Sequence, residues 1–281
     1  MMLCAFFIKE NTMKLGFIGT GNLASAILRG VVAAEEIPAN EIMIYDINPD
    51  KLSVLQEELS VNTAESADKV ASSCEYVVIA VKPKDFEFLA KSISGEIRSN
   101  DAIIISTAAG TNLDKIQEYF GYDVKAVRIM PNINAAVGES MTALCASDNV
   151  VYAEKEFAMT LCSYFGRVTE LEEKYFSAFT AIAGSAPAFA YMFADALANA
   201  GVKYGLPAKT AQDIAAQMLF GSAKQLLESP LTVSELIRNV CSPGGTTIEG
   251  VCSLKETGFE NSVITAVDKT VEKDKLMSAS K

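Results

Sequence analysis

Short apolar runs rich in β-branched residues recur from Lys14 to about Leu171, and each run ends in turn-forming residues. The runs are KLGFIG, EIMIYD, EYVVIAV, AIIIS and VKAVRIM. Helix-like stretches such as Asn22–Ala34 and Asn112–Tyr119 separate them. Apolar strands that alternate with helices are typical of a mostly parallel sheet covered by helices on both faces. The pattern therefore predicts an α/β domain over residues 13–171.

Strand-like runs stop after about Glu172, and the remainder reads as successive helices. Thr232 and Glu235 form a capping box that marks one helix start. The helices are apolar on more than one face, as in YMFADALANAGV. Such helices form either a compact bundle or an interlocked pair of subunits. We expect the second arrangement, because so much apolar surface needs cover, and we predict an all-α dimerisation domain over residues 172–281.

The chain has a formal net charge of −11, six cysteines and no histidine. Negative charge disfavours binding to nucleic acid or to an anionic membrane, and we find no apolar run of the roughly 18 residues that a membrane helix needs. The cysteines form no C-x-x-C pair, which argues against a metal site and, without a secretory signal, favours a cytoplasmic protein. We interpret residues 1–12 as an N-terminal extension before a domain that starts at Met13.

A glycine turn follows the first predicted strand, in the stretch GFIGTGNLASAI. The first glycine permits a tight turn, the second lets a pyrophosphate approach the backbone, and a small third residue allows close packing of helix on strand. The helix start adds unpaired N–H groups and a partial positive charge. Within an alternating α/β pattern the turn predicts a dinucleotide site rather than a plain turn. Its candidate cofactor-binding residues are Gly19, Thr20, Gly21, Asn22, Leu23 and Ala24.

Asp46 ends the second predicted strand. An acidic residue at this place typically bonds the ribose 2′-hydroxyl of NAD and repels the 2′-phosphate of NADP. No arginine follows it, and Lys51 is the nearest cation along the chain. Taken alone, Asp46 favours NAD as the cofactor. The alternative is that Asp46 only starts the turn at Asn48 and Pro49.

Three later strands end in the segments AVKPKD, STAAG and RIMPNINA. Ligands of open α/β sheets bind beyond the carboxyl ends of the strands. We therefore expect these segments to border the nicotinamide half of the cofactor, although each alone is equally compatible with an ordinary strand-to-helix turn. The candidate residues are Ala80, Val81, Lys82, Pro83, Ala108, Met130, Pro131 and Asn132.

The segment CSPGGTTIEGV, residues 241–251, combines a proline, two glycines and two threonines. A helix can begin here with either serine–proline or threonine–glutamate capping. One interpretation is a well-capped helix and nothing more. The other is an anion site, because bare glycine N–H groups and the helix dipole attract negative charge, and hydroxyls can donate hydrogen bonds. The second interpretation gives a carboxylate site whose candidate residues are Ser242, Gly244, Gly245, Thr246 and Thr247.

A nicotinamide cofactor together with a carboxylate site indicates hydride transfer to a small acid. Carbonyl reduction normally needs a lysine or histidine acid near the alkoxide. The chain has no histidine, and the first helix after the α/β domain has no lysine before Lys203. An imine removes this requirement, because its nitrogen is basic enough to be protonated near neutral pH. The protein then only has to position the substrate against the hydride donor. These residues therefore favour an imine substrate.

The chain resembles the pyrroline-5-carboxylate reductase family over about Met13–Leu276, in the motifs GFIGTGNLASAI, AVKP, RIMPN, AGSAPAFAY and above all CSPGGTTIEGV. The resemblance implies a Rossmann-type dinucleotide-binding domain and a helical C-terminal domain that interlocks as a homodimer, often within a larger ring. It implies reduction of 1-pyrroline-5-carboxylate, a cyclic imino acid, to L-proline with NADPH, less often NADH. It also implies that the loop at Ser242–Thr247 receives the substrate carboxylate and that Thr247 is a catalytic residue, hydrogen-bonded to the ring nitrogen.

The chain departs from the family pattern at three places, of which the smallest is Ala186, an alanine where the family's frequent S-G-x-G-P-A segment has glycine. Ile133 and Asn134 replace a frequent Thr-Pro pair after RIMPN, which could shift the loop next to the nicotinamide. Asp46 puts the NADPH preference in doubt. Two other hypotheses stay open: a reductase of a different cyclic imine, such as a six-membered ring acid, and a cofactor-binding regulatory protein without catalysis.

Overall fold

The computed structural model describes residues 13–279, so the predicted extension over residues 1–12 lies outside the described residues. The described chain divides into two compact units. The first comprises the described residues up to Gly184 together with those from Val271 onward, and the second is Ser185–Thr270.

The first unit is built on an eight-stranded sheet with the strand order β3-β2-β1-β4-β5-β6-β7-β8. The strands are β1 (Met13–Ile18), β2 (Ile42–Tyr45), β3 (Asn62–Thr63), β4 (Cys74–Ile79), β5 (Ile103–Ser106), β6 (Ala126–Met130), β7 (Ser140–Ala146) and β8 (Gly166–Glu170). All neighbouring strands run parallel except β6 and β7. The order 3-2-1-4-5-6 is that of a Rossmann fold, which confirms the predicted fold class of this part.

Helices cover both faces of the sheet. Those that follow the strands are α1 (Asn22–Ala33), α2 (Pro49–Leu59), α3 (Ala67–Ser73), α4 (Pro83–Asn100), α5 (Leu113–Phe120) and α6 (Tyr152–Ser163). Alternate residues of β1 enter different cores: Leu15 and Phe17 pack in one apolar cluster, and Ile18 packs in another. Successive strand side chains point to opposite faces, so a strand buried on both sides needs a continuous apolar run, as the sequence has.

The first unit continues beyond residue 171, the end that the strand pattern predicted for the α/β domain. A carboxylate oxygen of Glu173 accepts hydrogen bonds from Leu113 N and from the buried Arg128 guanidinium, both at 2.9 Å. Phe176 and Phe179, in α7 (Phe176–Phe179), pack in a cluster with Met130. These contacts place the segment after residue 171 in the core of the first unit.

The second unit contains α8 (Ala186–Lys203), α9 (Ala208–Glu228), α10 (Val233–Val240) and α11 (Thr246–Glu256), and α12 (Phe259–Ala279) contributes residues to both units. The predicted capping box is formed, because Thr232 and Glu235 exchange hydrogen bonds at the start of α10. The buried core is small and consists of Ala198, Ala211 and Ala215. Large apolar side chains are exposed instead: Tyr191, Met192, Ile214, Met218, Phe220, Leu226 and Leu227. Such a surface fits a unit that a second subunit covers.

The continuous helical stretch Glu173–Lys203 corrects one expectation from the sequence. It is long and apolar enough to cross a membrane by length and composition alone, whereas the sequence pattern predicts no apolar run of that length. The stretch also contains a π-helical turn, Thr180–Ser185, and a proline in the first turn of α8. A single helix of this kind is weak support for a membrane span, because helices of soluble proteins pass the same test.

Candidate active site

The glycine turn between β1 and α1 is held in a conformation that leaves the helix start free. Gly19 has a φ of +92°, its N–H donates to Tyr45 O at 2.8 Å, and a Cβ there would lie 2.8 Å from Ala80 O. Gly21 is the N-cap of α1 without a capping side chain, and a Cβ added to it would meet nothing within 4 Å. The first N–H groups of α1 are therefore available to a ligand. Ala24 is buried and packs against the core, as the motif requires.

Asp46 follows β2 and braces the glycine turn. One carboxylate oxygen accepts from Thr20 N at 2.7 Å and from Thr20 Oγ1 at 3.0 Å, and the other accepts from Asn48 N at 2.9 Å. Partial burial raises the pKa of Asp46, but these hydrogen bonds and the charge of Lys51 outweigh it and hold the pKa below its usual value. Asp46 is thus ionised at neutral pH. Its predicted contact with ribose stays a prediction.

A cleft of about 880 Å³ lies beside this turn. Six of the predicted cofactor-binding residues line it: Gly19, Gly21, Asp46, Ala80, Val81 and Lys82. The cleft also contains two apolar side chains that are largely exposed, Ile47 at 90% and Phe88 at 81%, which suit the face of an adenine ring. A phosphate-binding helix start, open space above Gly21 and an apolar wall together fit a dinucleotide.

The structure adds cleft residues that the motifs did not single out. Lys84 and Phe88 lie one and five residues beyond Pro83, in the first turns of α4, and both line the cleft. Lys51, the cation nearest Asp46 along the chain, also lines it. The clustering of lysines in AVKPKD was the available signal for Lys84, and nothing in the sequence marked Phe88.

Other predicted cofactor residues lie elsewhere in the first unit. Thr20 and Asn22 line a smaller cleft of about 460 Å³. Ala24, Ala108, Met130, Pro131 and Asn132 are buried, whereas Leu23 is half-buried in α1 and Pro83 is exposed at the start of α4. The cofactor contacts predicted for all of these residues stay predictions.

Asn132 uses its side chain within the protein. Its Nδ2 donates to Ala183 O in the π-helical turn at 3.0 Å, and its Oδ1 accepts from Asn134 N at 3.1 Å. Its backbone N–H donates to Ser140 Oγ. Asn132 therefore caps the 3₁₀ turn Ile133–Val137, which accommodates the two residues that replace the family's frequent Thr-Pro pair.

The second glycine turn corrects the predicted start of α11. Ser242 is not an N-cap: its carbonyl accepts from Gly245 N at 3.0 Å and closes a four-residue turn, with Pro243 second and Gly244, at φ +66°, third. This is the sequence signature of a type II turn. Gly245 is the N-cap, and α11 begins at Thr246. A Cβ at Gly245 would collide with Ser242 Oγ, so another residue there would require the Ser242 side chain to rotate away.

The start of α11 offers hydrogen-bond donors. The Gly245 N–H is used by the turn, so the unpaired backbone donors are those of Thr246, Thr247 and Ile248. Neither threonine hydroxyl forms a hydrogen bond with another residue in the described part of the chain, and Thr247 is half-buried whereas Thr246 is exposed. Glu249 adds one exposed negative charge to this turn. The site can hold a small anion and donate or accept a hydrogen bond beside it.

Comparison with known proteins decides the family. The model of pyrroline-5-carboxylate reductase dimerisation matches residues 173–277, and that of coenzyme F420-dependent NADP oxidoreductases matches residues 14–110. The curated pyrroline-5-carboxylate reductase of Escherichia coli is 37% identical over 95% of this chain and 99% of its own length. The chain belongs to the pyrroline-5-carboxylate reductase family. The family member of Aquifex aeolicus is 36% identical over 94% of the chain and 97% of its own length.

Solved members of the family share the fold. The pyrroline carboxylate reductase of Plasmodium falciparum, crystallised with NADP bound, superposes with a TM-score of 0.86 at 31% identity, covering 96% of this chain and 99% of its own. The pyrroline-5-carboxylate reductase of Coxiella burnetii gives a TM-score of 0.90 at 29% identity, covering 96% of this chain and all of its own. The predicted family and fold class are both confirmed.

Proposed function

We propose that this chain is an NAD(P)H-dependent oxidoreductase that reduces 1-pyrroline-5-carboxylate to L-proline, the last step of proline biosynthesis. NADPH is the expected donor, with NADH as a second possibility. Membership of the family supports this function. The structural observation that carries it is the set of unpaired backbone N–H donors at the start of α11, which directly follows the turn containing Gly244 and Gly245. An acidic chain without histidine thereby gains a place for a carboxylate.

The chain's own residues supply binding and orientation. The N–H groups of Thr246, Thr247 and Ile248 hold the substrate carboxylate, each charge-assisted bond contributing about 1.5–3 kcal/mol. The Thr247 hydroxyl bonds the ring nitrogen and fixes which face of the imine is open. In the first unit, the start of α1 binds the pyrophosphate and the cleft wall binds the adenosine. The nicotinamide, when bound, supplies the hydride.

No side chain has to act as a general acid in this reaction. The nitrogen of a cyclic imine is protonated near neutral pH, so the electrophilic carbon is activated before hydride arrives. The thiols of Cys74 and Cys145 are unsuited to proton transfer, because burial raises the pKa of each to about 12. Positioning by the α11 turn then accounts for most of what this chain contributes.

The helical unit assembles the chain with a second copy, as the name of its family model and its exposed apolar residues indicate. Assembly of dimers into a larger ring, cytoplasmic location and the absence of nucleic-acid or membrane partners are proposals that rest on the resemblance and on the net charge of −11. Light scattering of the purified protein measures the assembly directly.

Initial rates with 1-pyrroline-5-carboxylate, measured side by side with NADPH and NADH, test the function. We expect oxidation of NADPH coupled to proline formation, and slower turnover of a six-membered cyclic imine. Cofactor binding without turnover of either ring would instead support a regulatory protein. Faster turnover of the six-membered ring would reassign the substrate.

A further inference from the structure

The Asp46 carboxylate has few acceptor positions left for hydrogen bonds from a ribose. A carboxylate oxygen offers about two acceptor directions, and on one oxygen of Asp46 both are taken by Thr20. On the other oxygen, Asn48 N takes one. One direction remains, so the carboxylate cannot accept from two ribose hydroxyls at once. Most of the acceptor capacity of the residue that the sequence marks as an NAD determinant is used in holding the glycine turn.

Lys51 lines the same cleft as Asp46 and forms no ion pair among the described residues. It lies on α2, is exposed, and lines both the main cleft and the smaller cleft around Thr20. Its charge helps to lower the pKa of Asp46, which lines the same main cleft. Within residues 13–279 no ion pair involves Lys51, and the same holds for Lys82 and Lys84, the other two lysines of the main cleft, whereas Lys14, Lys91, Lys125 and Lys155 of the same unit are paired.

The main cleft as a whole carries balanced charge. Lys51, Lys82 and Lys84 line it together with Asp46, Asp68 and Asp85. A general positive field therefore does not select the cofactor. Among the three lysines of this cleft, Lys51 alone also lines the smaller cleft around Thr20 of the glycine turn, which makes it the cation best placed to select the cofactor.

We propose that Lys51 is the residue that determines cofactor specificity, because its ammonium binds the 2′-phosphate of NADPH, and that Asp46 braces the glycine turn instead of selecting NAD. An ammonium on a flexible stem binds phosphate as a point charge. The inference rests on the proposed function, since it assumes that the cleft beside Gly21 holds NAD(P)H. It resolves the conflict between an acidic β2 end and an NADPH preference.

Two ligands that differ only by the phosphate separate these roles without any turnover: adenosine 2′,5′-bisphosphate and adenosine 5′-monophosphate. Calorimetric titration of the full-length protein should show the bisphosphate binding at least about tenfold more tightly. Lys51→Gln should reduce that ratio about tenfold and change the monophosphate affinity less than twofold. Added salt should lower the ratio in the unmodified protein and barely alter it in the variant. Lys69→Gln, at an exposed lysine of α3 outside the cleft lining, is the matched control and should leave both affinities unchanged.

Asp46→Asn is the second arm. If Asp46 braces the turn, both ligands weaken by a similar factor and the ratio stays constant. A rise of the ratio in Asp46→Asn would mean that the carboxylate opposes the 2′-phosphate and would overturn the proposal. Equal weakening of both ligands by Lys51→Gln would overturn the proposal for Lys51 as well, but it would not contradict the assignment of the cleft to the cofactor. If the unmodified protein bound neither ligand, the proposed cleft itself would be wrong.

Discussion

Each unit contains a glycine turn that leads into a helix, and the two turns are built differently. Both helices, α1 and α11, have a glycine N-cap without a capping side chain, at Gly21 and Gly245. The first turn is held from outside, by Tyr45 O and by the Asp46 carboxylate. The second is closed by its own hydrogen bond, from Gly245 N to Ser242 O.

The difference separates two ways of preparing an anion site. Partners 26 residues apart in sequence fix the first turn, so it is complete only when β1, β2 and β4 are assembled. The second turn needs only consecutive residues, and its conformation follows from proline and glycine backbone preferences. Damage to the first turn should therefore affect the whole unit, whereas damage to the second should stay local.

Gly19→Ala should have the largest effect. The residue has a φ of +92°, and its new Cβ would lie 2.8 Å from the carbonyl oxygen of Ala80, which is backbone and cannot rotate away. We expect a loss of about 3 kcal/mol in the free energy of unfolding and no measurable NADPH binding.

Gly21→Ala is the control, because its Cβ meets open space. It should unfold like the unmodified protein and lose only cofactor affinity. Urea unfolding and calorimetric titration measure both quantities, and equal stability losses in the two variants would contradict the external bracing.

The local parts of this architecture could be predicted from the sequence. Apolar runs fixed the central strands, and α1 (Asn22–Ala33) ends within one residue of its predicted end. The capping box at Thr232 forms as expected. These features depend on periodicity and on capping within a few residues.

The remaining parts depend on long-range contacts or on ambiguous local chemistry. The bonds between Thr20 and Asp46, and between Arg128 and Glu173, join residues 26 and 45 positions apart. At Ser242 the local signal is ambiguous, because a proline with φ near −65° suits both the first turn of a helix and the second position of a type II turn. The left-handed conformation of Gly244, which decides between them, is not visible in the sequence.

Thr247→Val should have the next largest effect, on catalysis alone. The substitution keeps the shape and removes a hydroxyl that has no partner among the described residues. Loss of a hydrogen bond to a charged ring nitrogen should lower kcat about tenfold to hundredfold, with the Kd for NADPH unchanged. Thr246→Val, at the exposed neighbour, is the matched control and should reduce kcat less than threefold. An unchanged kcat for Thr247→Val would remove its catalytic role.

Asp46→Asn should destabilise the first unit moderately and in a pH-dependent way. The folded-state pKa of Asp46 lies below its unfolded value of about 4, so the stabilisation is present above pH 4 and is lost as the pH falls through the folded-state pKa. We expect the variant to lose about 1–2 kcal/mol at pH 7 and the difference to shrink in acid. Unfolding curves between pH 3 and 7 measure it, with the exposed Asp148→Asn as a control of equal charge change. A difference independent of pH would mean that the ionised carboxylate does not brace the turn.

Gly244→Ala should have the smallest effect. The residue has a φ of +66°, but a Cβ there meets nothing within 4 Å, so the cost is backbone strain of about 1 kcal/mol without a clash. Because the second turn is held locally, the strain should raise the KM for 1-pyrroline-5-carboxylate a few-fold and leave NADPH affinity unchanged.

Gly250→Ala, six residues later inside α11 and equally free of contacts within the chain, should instead stabilise the helix by up to about 1 kcal/mol. Opposite shifts in stability from the same substitution would show that positive φ, not lost flexibility, is what the second turn requires. Matching shifts would mean that the turn tolerates a different backbone, and the contrast between the two turns would then lie in their partners alone.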